Sequence, residues 1–464
     1  MISQETLERV LKVALKKGGD FADIFAERKA GTAVRLEDRK VEEVVSGYDA
    51  GAGIRVVSGE STRYVFTDDL SEKGLLQAAE AVAEAVKAGA EQPLNTASPF
   101  KEEIPPVRHE VKIPPSDINR DRKVDVVLRA DEKARSMGKE ILQVTASYTD
   151  SVQDVLIANS EGRIAKDKRV LTRLFVHVIA RRGDNVQTGF ETPGLHAGFE
   201  FFDKNPPEKA AEIAAERALA MLDARAAPAG KMPVIVASGS GGVLFHEASG
   251  HGLEADAIQK GASVYAGRLG EKVASGKVSA ADDPSLANRW GSFAFDDEGT
   301  PAKRNLLIDK GVLANYMYDR IRALKDKVPA TSNGRRQSFR HVPVPRMTNT
   351  FILPGSDTFE EMLAATKRGL YAKALGGGEV NPATGDFVFG VSEGYLIEKG
   401  EIAYPVRGAV LVGNGPRILN LIDFVGRDLD FDAGMCGKDG QAVPVATGQP
   451  AIRISELTVG GTQQ

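Results

Sequence analysis

The segment "VLFHEASGHGLEAD", Val243 to Asp256, restricts the fold more than any other stretch, because no regular helix can use both of its histidines at one point. His246 and Glu247 precede His251, one residue further apart than the signature H-E-x-x-H allows. An α-helix turns about 100° per residue, so five steps leave the second imidazole about 140° from the first. Either the pairing is accidental or the helix is irregular. Gly250 and Gly252 flank His251 and weaken a regular helix. A π-bulge, or termination at Gly250, would return both rings to one side. The sequence therefore predicts a broken or π-bulged helix near Gly250.

Upstream, "MPVIVASGSGG" reads as a buried strand over 233–237 followed by a glycine-serine turn. Strand, turn and helix outline a phosphate loop. The detail fails, since no G-x-x-x-x-G-K-[ST] is present and Leu244 stands where G-x-G-x-x-G needs its last glycine. A metal site fits better. Neutral imidazoles suit Zn²⁺, and a catalytic zinc keeps three protein ligands and one open position. Glu247 beside a ligand is placed to act as general base and then acid.

The third ligand is open at this level. Cys436, in "DAGMCGKDGQ", is the chain's one cysteine and lies in a glycine-rich loop. A lone cysteine is more often a small buried hydrophobe. Glu254, three residues after His251, and Asp256 are its rivals. The remaining histidines invite plainer readings. His177, in "LFVHVIA", belongs to a strand core or face, and His109 and His196 fall in loop-like segments without partners. His341 ends the basic run "RRQSFRH" as a solvated or locally paired residue.

With 464 residues, 42% hydrophobic and 27% charged, the chain has ample core for two or three domains. A net charge of −4 and a pI near 6.0 argue against wholesale nucleic-acid binding, leaving 335–341 as the best local basic patch. The N-terminus lacks an apolar signal-like run, and no stretch is long enough to span a membrane, so a cytoplasmic location is expected. One cysteine excludes an intrachain disulfide.

Periodicity predicts a helix through Leu7, Val10, Leu11, Ala14 and Leu15, and further helices over 72–88, 120–137 and 207–224. Strands are expected over 21–59, turning at Asp38-Arg39-Lys40, and again over 140–193. A proline-rich crossing occupies 89–120. "NLLIDKGVLANYM" and "GYLIEKGEIAYPV" read as hairpins, and one helix is expected near 357–368. The expected fold is α+β: a mixed α/β N-terminal domain (1–225) and a β-rich C-terminal domain (226–464) carrying the metal motif on an irregular helix.

"HEASGHGLEAD", "DDEGTPAKRNLLIDKGVL", "TSNGRRQSFRHVPVPRMTNTFILPG", "FGVSEGYLIEKGE" and "MCGKDGQAVPVATGQPAIRISELTVGGT" occur in an order that resembles the TldD/PmbA family. The likeness is dense over ~230–464, with the N-terminal half matching in layout and length. Because the His-Glu-x-x-x-His residues are all present, it is the TldD-type branch that the chain resembles. The resemblance implies a zinc metallopeptidase acting on unfolded or extended peptides, with His246, His251 and Cys436 as zinc ligands and Glu247 as catalytic residue. It implies a dimer, with a PmbA/TldE-like subunit or a second copy, in which residues 1–225 contact the partner and wall the cleft. It implies no direct contact with nucleic acid or membrane. Arg335, Arg336 or backbone N–H groups near Gly376-Gly377-Gly378 are candidate oxyanion donors, and exposed strand edges are candidate peptide-docking sites. The competing expectations are a non-catalytic metal-binding regulator or adaptor subunit, and a hydrolase of non-peptide amides.

Overall fold

The computed structural model describes residues 2–86, 100–381 and 383–461. The predicted proline-rich crossing lies partly outside the described residues, Pro93 and Pro99 included.

The N-terminal half is built on one twisted sheet. Its main strands follow the order Ser61–Thr67, Lys40–Ser58, Phe21–Glu37, Ile141–Asn159, Arg163–Arg182, with Asn185–Glu191 also pairing on the last. The first two long strands reverse at Asp38 and Arg39, both at positive φ (47° and 71°), the geometry of a tight two-residue hairpin turn. Period-two alternation decides what each face meets. Ala22, Ile24 and Ala26 pack with helices Gln4–Ala14 and Glu72–Glu84. Val34 and Leu36, on the same face, pack with Arg120–Ser136 and Pro207–Leu222. Phe25 points the other way and joins Ala294, Phe295 and Phe339 from the second half of the chain. The four predicted helices thus cover one face of the sheet, and the C-terminal half covers part of the other.

That C-terminal half contains two further large sheets. In the first, Arg368–Val380, Gly230–Val236, Ile452–Gly460, Val410–Asn414 and Asp386–Glu398 pair in sequence, and the last pairs back onto the first, closing a ring. In the second the order is Val312–Leu313, Asn305–Asp309, Ala280–Asp282, Asn349–Ile352, Gln441–Gln449, Asp430–Lys438. The predicted hairpins are the pairs Asn305–Asp309 with Val312–Leu313 and Asp386–Glu398 with Glu401–Arg407. The helix expected near 357–368 is Phe359–Ala364, opened by a Thr358/Glu361 capping box. Short helices Arg320–Asp326 and Gly415–Leu421 add to it. The fold is α+β. No helix among the described residues is long and apolar enough to cross a membrane.

Two halves of the candidate site come from the two C-terminal sheets. Strand Gly230–Val236 feeds the histidine segment, and strand Asp430–Lys438, last in its sheet, carries Cys436.

Candidate metal centre

After Val236 the chain turns through Gly239, at φ +67°, into a short 3₁₀ turn, Gly239–Gly241, and one α turn, Gly242–Phe245. His246–Gly250 then forms a π turn, followed by a 3₁₀ turn, His251–Leu253. The wide turn absorbs the extra residue between the histidines, as the spacing predicts. Close packing requires the glycines: a Cβ on Gly242 would lie 2.5 Å from the Gly448 backbone nitrogen, and one on Gly250 would strike Met347 Sδ.

The π turn brings the rings of His246 and His251 to 5.1 Å between centroids, at 82° to each other. Cys436 Sγ lies 3.3 Å from His251 Nε2. One ligand atom from each of His246, His251 and Cys436 falls within 4.8 Å of the others. Two ligands on a tetrahedral zinc are separated by about 3.5 Å, so the donor set suits that ion in chemistry and in scale. His246 and Cys436 are 2% and 4% exposed. The His246 Nδ1 atom is buried without a hydrogen-bond partner among the described residues, a deficit that metal ligation through that atom would remove. Glu247, half-buried, sits with a carboxylate oxygen 3.9 Å from His251 Nε2.

Glu254 and Asp256, the rival third ligands, do not join this cluster. Glu254 instead accepts from His251 Nδ1 at 3.0 Å and from Lys438 Nζ at 3.0 Å, and Asp256 holds the same ammonium at 2.7 Å. Carboxylates in this position fix the tautomer and plane of a ligating imidazole. The charges reinforce one another. Burial opposes ionisation of Glu254, but His251 and Lys438 outweigh it and pull the carboxyl down to about 2. Burial likewise opposes the Cys436 thiolate, yet hydrogen bonds and charge from His246 and His251 bring the thiol down to about 5. His251 is raised well above its ordinary value, because Glu254 and Cys436 overcome its burial.

Three supporting residues escape a sequence reading. Lys438 shares a strand face with Cys436, which period-two alternation in "MCGKDG" does imply. Arg346, fully buried, donates to the Cys436 carbonyl, and Trp290 Nε1 donates to the Gly434 carbonyl at 2.9 Å. Nothing local signals these two. Two carbonyls of strand Asp430–Lys438 beside the thiol are thereby engaged.

Other expectations change as well. "RRQSFRH" is not a solvated basic patch. Arg335 and Arg336 are buried, Phe339 packs on the first sheet, Arg340 pairs with Asp49, and His341 Nδ1 meets Ser338 Oγ at 2.9 Å. Arg335 donates to the Met347 carbonyl and Arg336 to that of Asp297, and both line a cavity on the face of strand Asp430–Lys438 opposite Cys436. His196 has partners after all. It is fully buried, its Nε2 accepts from Val170 N at 3.2 Å, and it stacks on His109 at 4.3 Å. Burial, with the like charge of His109, pushes His196 down to about 4. His177 lies on strand Arg163–Arg182 beside Phe175, as expected.

Two imidazoles and a thiol thus converge beside a carboxylate in an α+β fold, a cluster able to hold a metal ion. Comparison with known sequences agrees. Models described as PmbA/TldA metallopeptidase domain 1, central domain and C-terminal domain match residues 22–88, 113–222 and 229–461. The Metalloprotease TldD homolog of Haemophilus influenzae is 38% identical over 99% of this chain and 97% of its own. The Zinc metalloprotease TldD homolog of Saccharolobus solfataricus is 29% identical over 98% and 99%. Among solved structures, TldE from Thermococcus kodakarensis shares the fold at a TM-score of 0.80, with 20% identity over 98% of this chain and 100% of that one. The chain belongs to the TldD/PmbA metallopeptidase family.

Proposed function

We propose that the protein is a zinc-dependent metallopeptidase that hydrolyses peptide bonds in unfolded or extended chains, with His246, His251 and Cys436 as the ligands. The observation that carries this reading is the convergence of three ligand-type atoms with Glu247 alongside. A purely structural zinc is closed by four protein ligands, whereas this cluster has three among the described residues, and a structural site has no need of a neighbouring base. When bound, the ion supplies Lewis acidity to the scissile carbonyl and to an attacking water. Glu247 takes the proton from that water and delivers it to the departing amine. Glu254 holds His251 in one orientation, and Lys438 holds Glu254. The burial of His246 and Cys436 favours substrates without tertiary structure, since only a thin chain can reach them.

Within the same proposal, residues 226–464 form the catalytic domain. Residues 1–225 wall the cleft and meet a partner, either a PmbA/TldE-like subunit or a second copy, in the cytoplasm. The test combines metal analysis with cleavage of an unstructured peptide, with and without such a partner. Glu247→Gln is expected to keep zinc and lose on the order of 10²–10⁴-fold in rate. Cys436→Ala is expected to lose zinc. Cleavage that survives Glu247→Gln would overturn the mechanism. Zinc retained by Cys436→Ala but lost from Glu254→Ala would overturn the ligand set.

A further inference from the structure

A second, unassigned site lies between the first sheet and the C-terminal half. A cavity of about 280 Å³ is lined there by Lys29 and Arg169 on one side and by Arg335 and Arg336 on the other. It is separate from the metal cluster. Met435 and Pro444, cross-strand partners, line it, so it sits on the face of strand Asp430–Lys438 opposite Cys436.

The charge of this cavity does not balance. Four cationic side chains line it, against one lining carboxylate, Asp297, and Asp167, which pairs with Arg169 at 3.2 Å from outside the cavity. The Asp297 carboxylate is already engaged: one oxygen accepts from Arg169 Nη1 at 2.7 Å and the other from the Arg336 backbone N–H at 2.7 Å. Arg335 and Arg336 are 5% and 4% exposed, and neither enters an ion pair among the described residues. Arg335 spends one donor on the Met347 carbonyl, and Arg336 Nε is buried with no partner. Burial is the main force pushing the Arg335 guanidinium down to about 10; Asp297 opposes it, Arg169 and Arg346 add repulsion, and Asp282 opposes more weakly. A buried cation with no carboxylate in direct contact is costly, and a bound anion would relieve that cost. Guanidinium forks match planar or tetrahedral oxyanions bidentately. The Phe293 ring, with Arg169 at 5.2 Å and Arg335 at 5.4 Å from its centroid, holds both guanidiniums in place. The volume falls just below the roughly 300–1,000 Å³ of drug-sized pockets, which suits a small group.

We infer that this cavity binds an oxyanion, a carboxylate or phosphoryl group, through Arg335, Arg336, Arg169 and Lys29. The group arrives either on a free small molecule or on an acidic side chain of a bound peptide. The site goes beyond the proposed hydrolysis and does not depend on it.

Trp290, the chain's one tryptophan, lines the cavity, so its fluorescence reports occupancy directly. The full chain is titrated at constant ionic strength, with chloride as control. The probes are inorganic phosphate, succinate, and an unstructured glutamate-containing peptide beside its glutamine counterpart. A saturable emission change is expected, weakened at least roughly tenfold in Arg335→Gln. Lys29→Gln, at an exposed position where folding is not at risk, is expected to weaken it measurably too. A response to phosphate or succinate assigns a free anion. A response only to the glutamate peptide assigns a peptide carboxylate. No saturable response to any probe, or responses unchanged in both variants, overturns the inference. Neither zinc content nor cleavage enters the readout, so failure here and failure of the proposed hydrolysis are distinguishable.

Discussion

Glu254 shows how much a single buried carboxylate can govern without touching a metal itself. It is 1% exposed, fixed by Lys438, and fixes His251 in turn. Glu254→Gln removes the charge and leaves a hydrogen bond whose direction depends on the amide flip. Zinc affinity, read by competition with a chromogenic chelator, is expected to fall roughly 10–100-fold, as for other residues that orient ligands. Gly250→Ala acts sterically, driving a methyl into Met347 Sδ. A loss of about 1–3 kcal/mol in urea unfolding is expected, with weaker zinc retention as the π turn shifts. At this scale the sequence reveals the residues that form a local motif. His246, Glu247 and His251 stand together, and Cys436 is conspicuous as a lone thiol. Arg346, Trp290 and the counter-charge deficit around Arg335 are not legible, because each depends on contacts between segments far apart in the chain. No period or spacing encodes such contacts.

Elements follow the same division. Hairpins and long helices are readable because alternation and 3.6-residue periodicity repeat over many residues. Arg320–Asp326 is a seven-residue helix whose buried face amounts to Ala323, too short for a periodic signal. Its N-cap, Asp319, is 3% exposed and accepts from Arg322 N at 2.8 Å. Burial, with the neighbouring charge of Glu298, raises this carboxyl to about 7. The folded state then holds the proton more tightly than the unfolded state, where the value is about 3.9. The contribution to stability is therefore full below about pH 4 and is lost as pH rises through about 7. Asp319→Asn keeps a good cap and removes the titration. Its melting temperature should fall less than the wild type's between pH 4 and 7.5, followed calorimetrically. At the first hairpin, Arg39→Gly relieves a left-handed backbone at φ 71°. It should raise stability by a few tenths to about 1 kcal/mol in chemical denaturation.

Across the whole molecule, the two halves are joined by charge as well as by apolar packing. Arg55, fully buried on the first sheet, pairs with Asp23 beside it and reaches Glu298 in the C-terminal half at 2.7 Å. Arg169 reaches Asp297 in the same way. Arg55→Ala would strand two buried carboxylates, and a cost of about 3–5 kcal/mol is expected in guanidinium unfolding. If both halves lose stability in one transition, they unfold together. Separate transitions in Arg55→Ala, where the wild type shows one, would show that the ionic contact couples them, and a single transition in both would show that the apolar packing suffices. Asp296, Asp297 and Glu298, with Arg335 and Arg336 from the run "RRQSFRH", are therefore internal to the molecule, while Gln337 and Arg340 of that run are exposed.

What an ion senses is azimuth, and the number of intervening residues is only a proxy for it. The π turn at His246–Gly250 rephases the backbone by one position, so a histidine that is out of step by count is in step by angle. A search written in fixed intervals would pass over this chain. One written in phase, with glycine flanks taken as licence to slip, would find it.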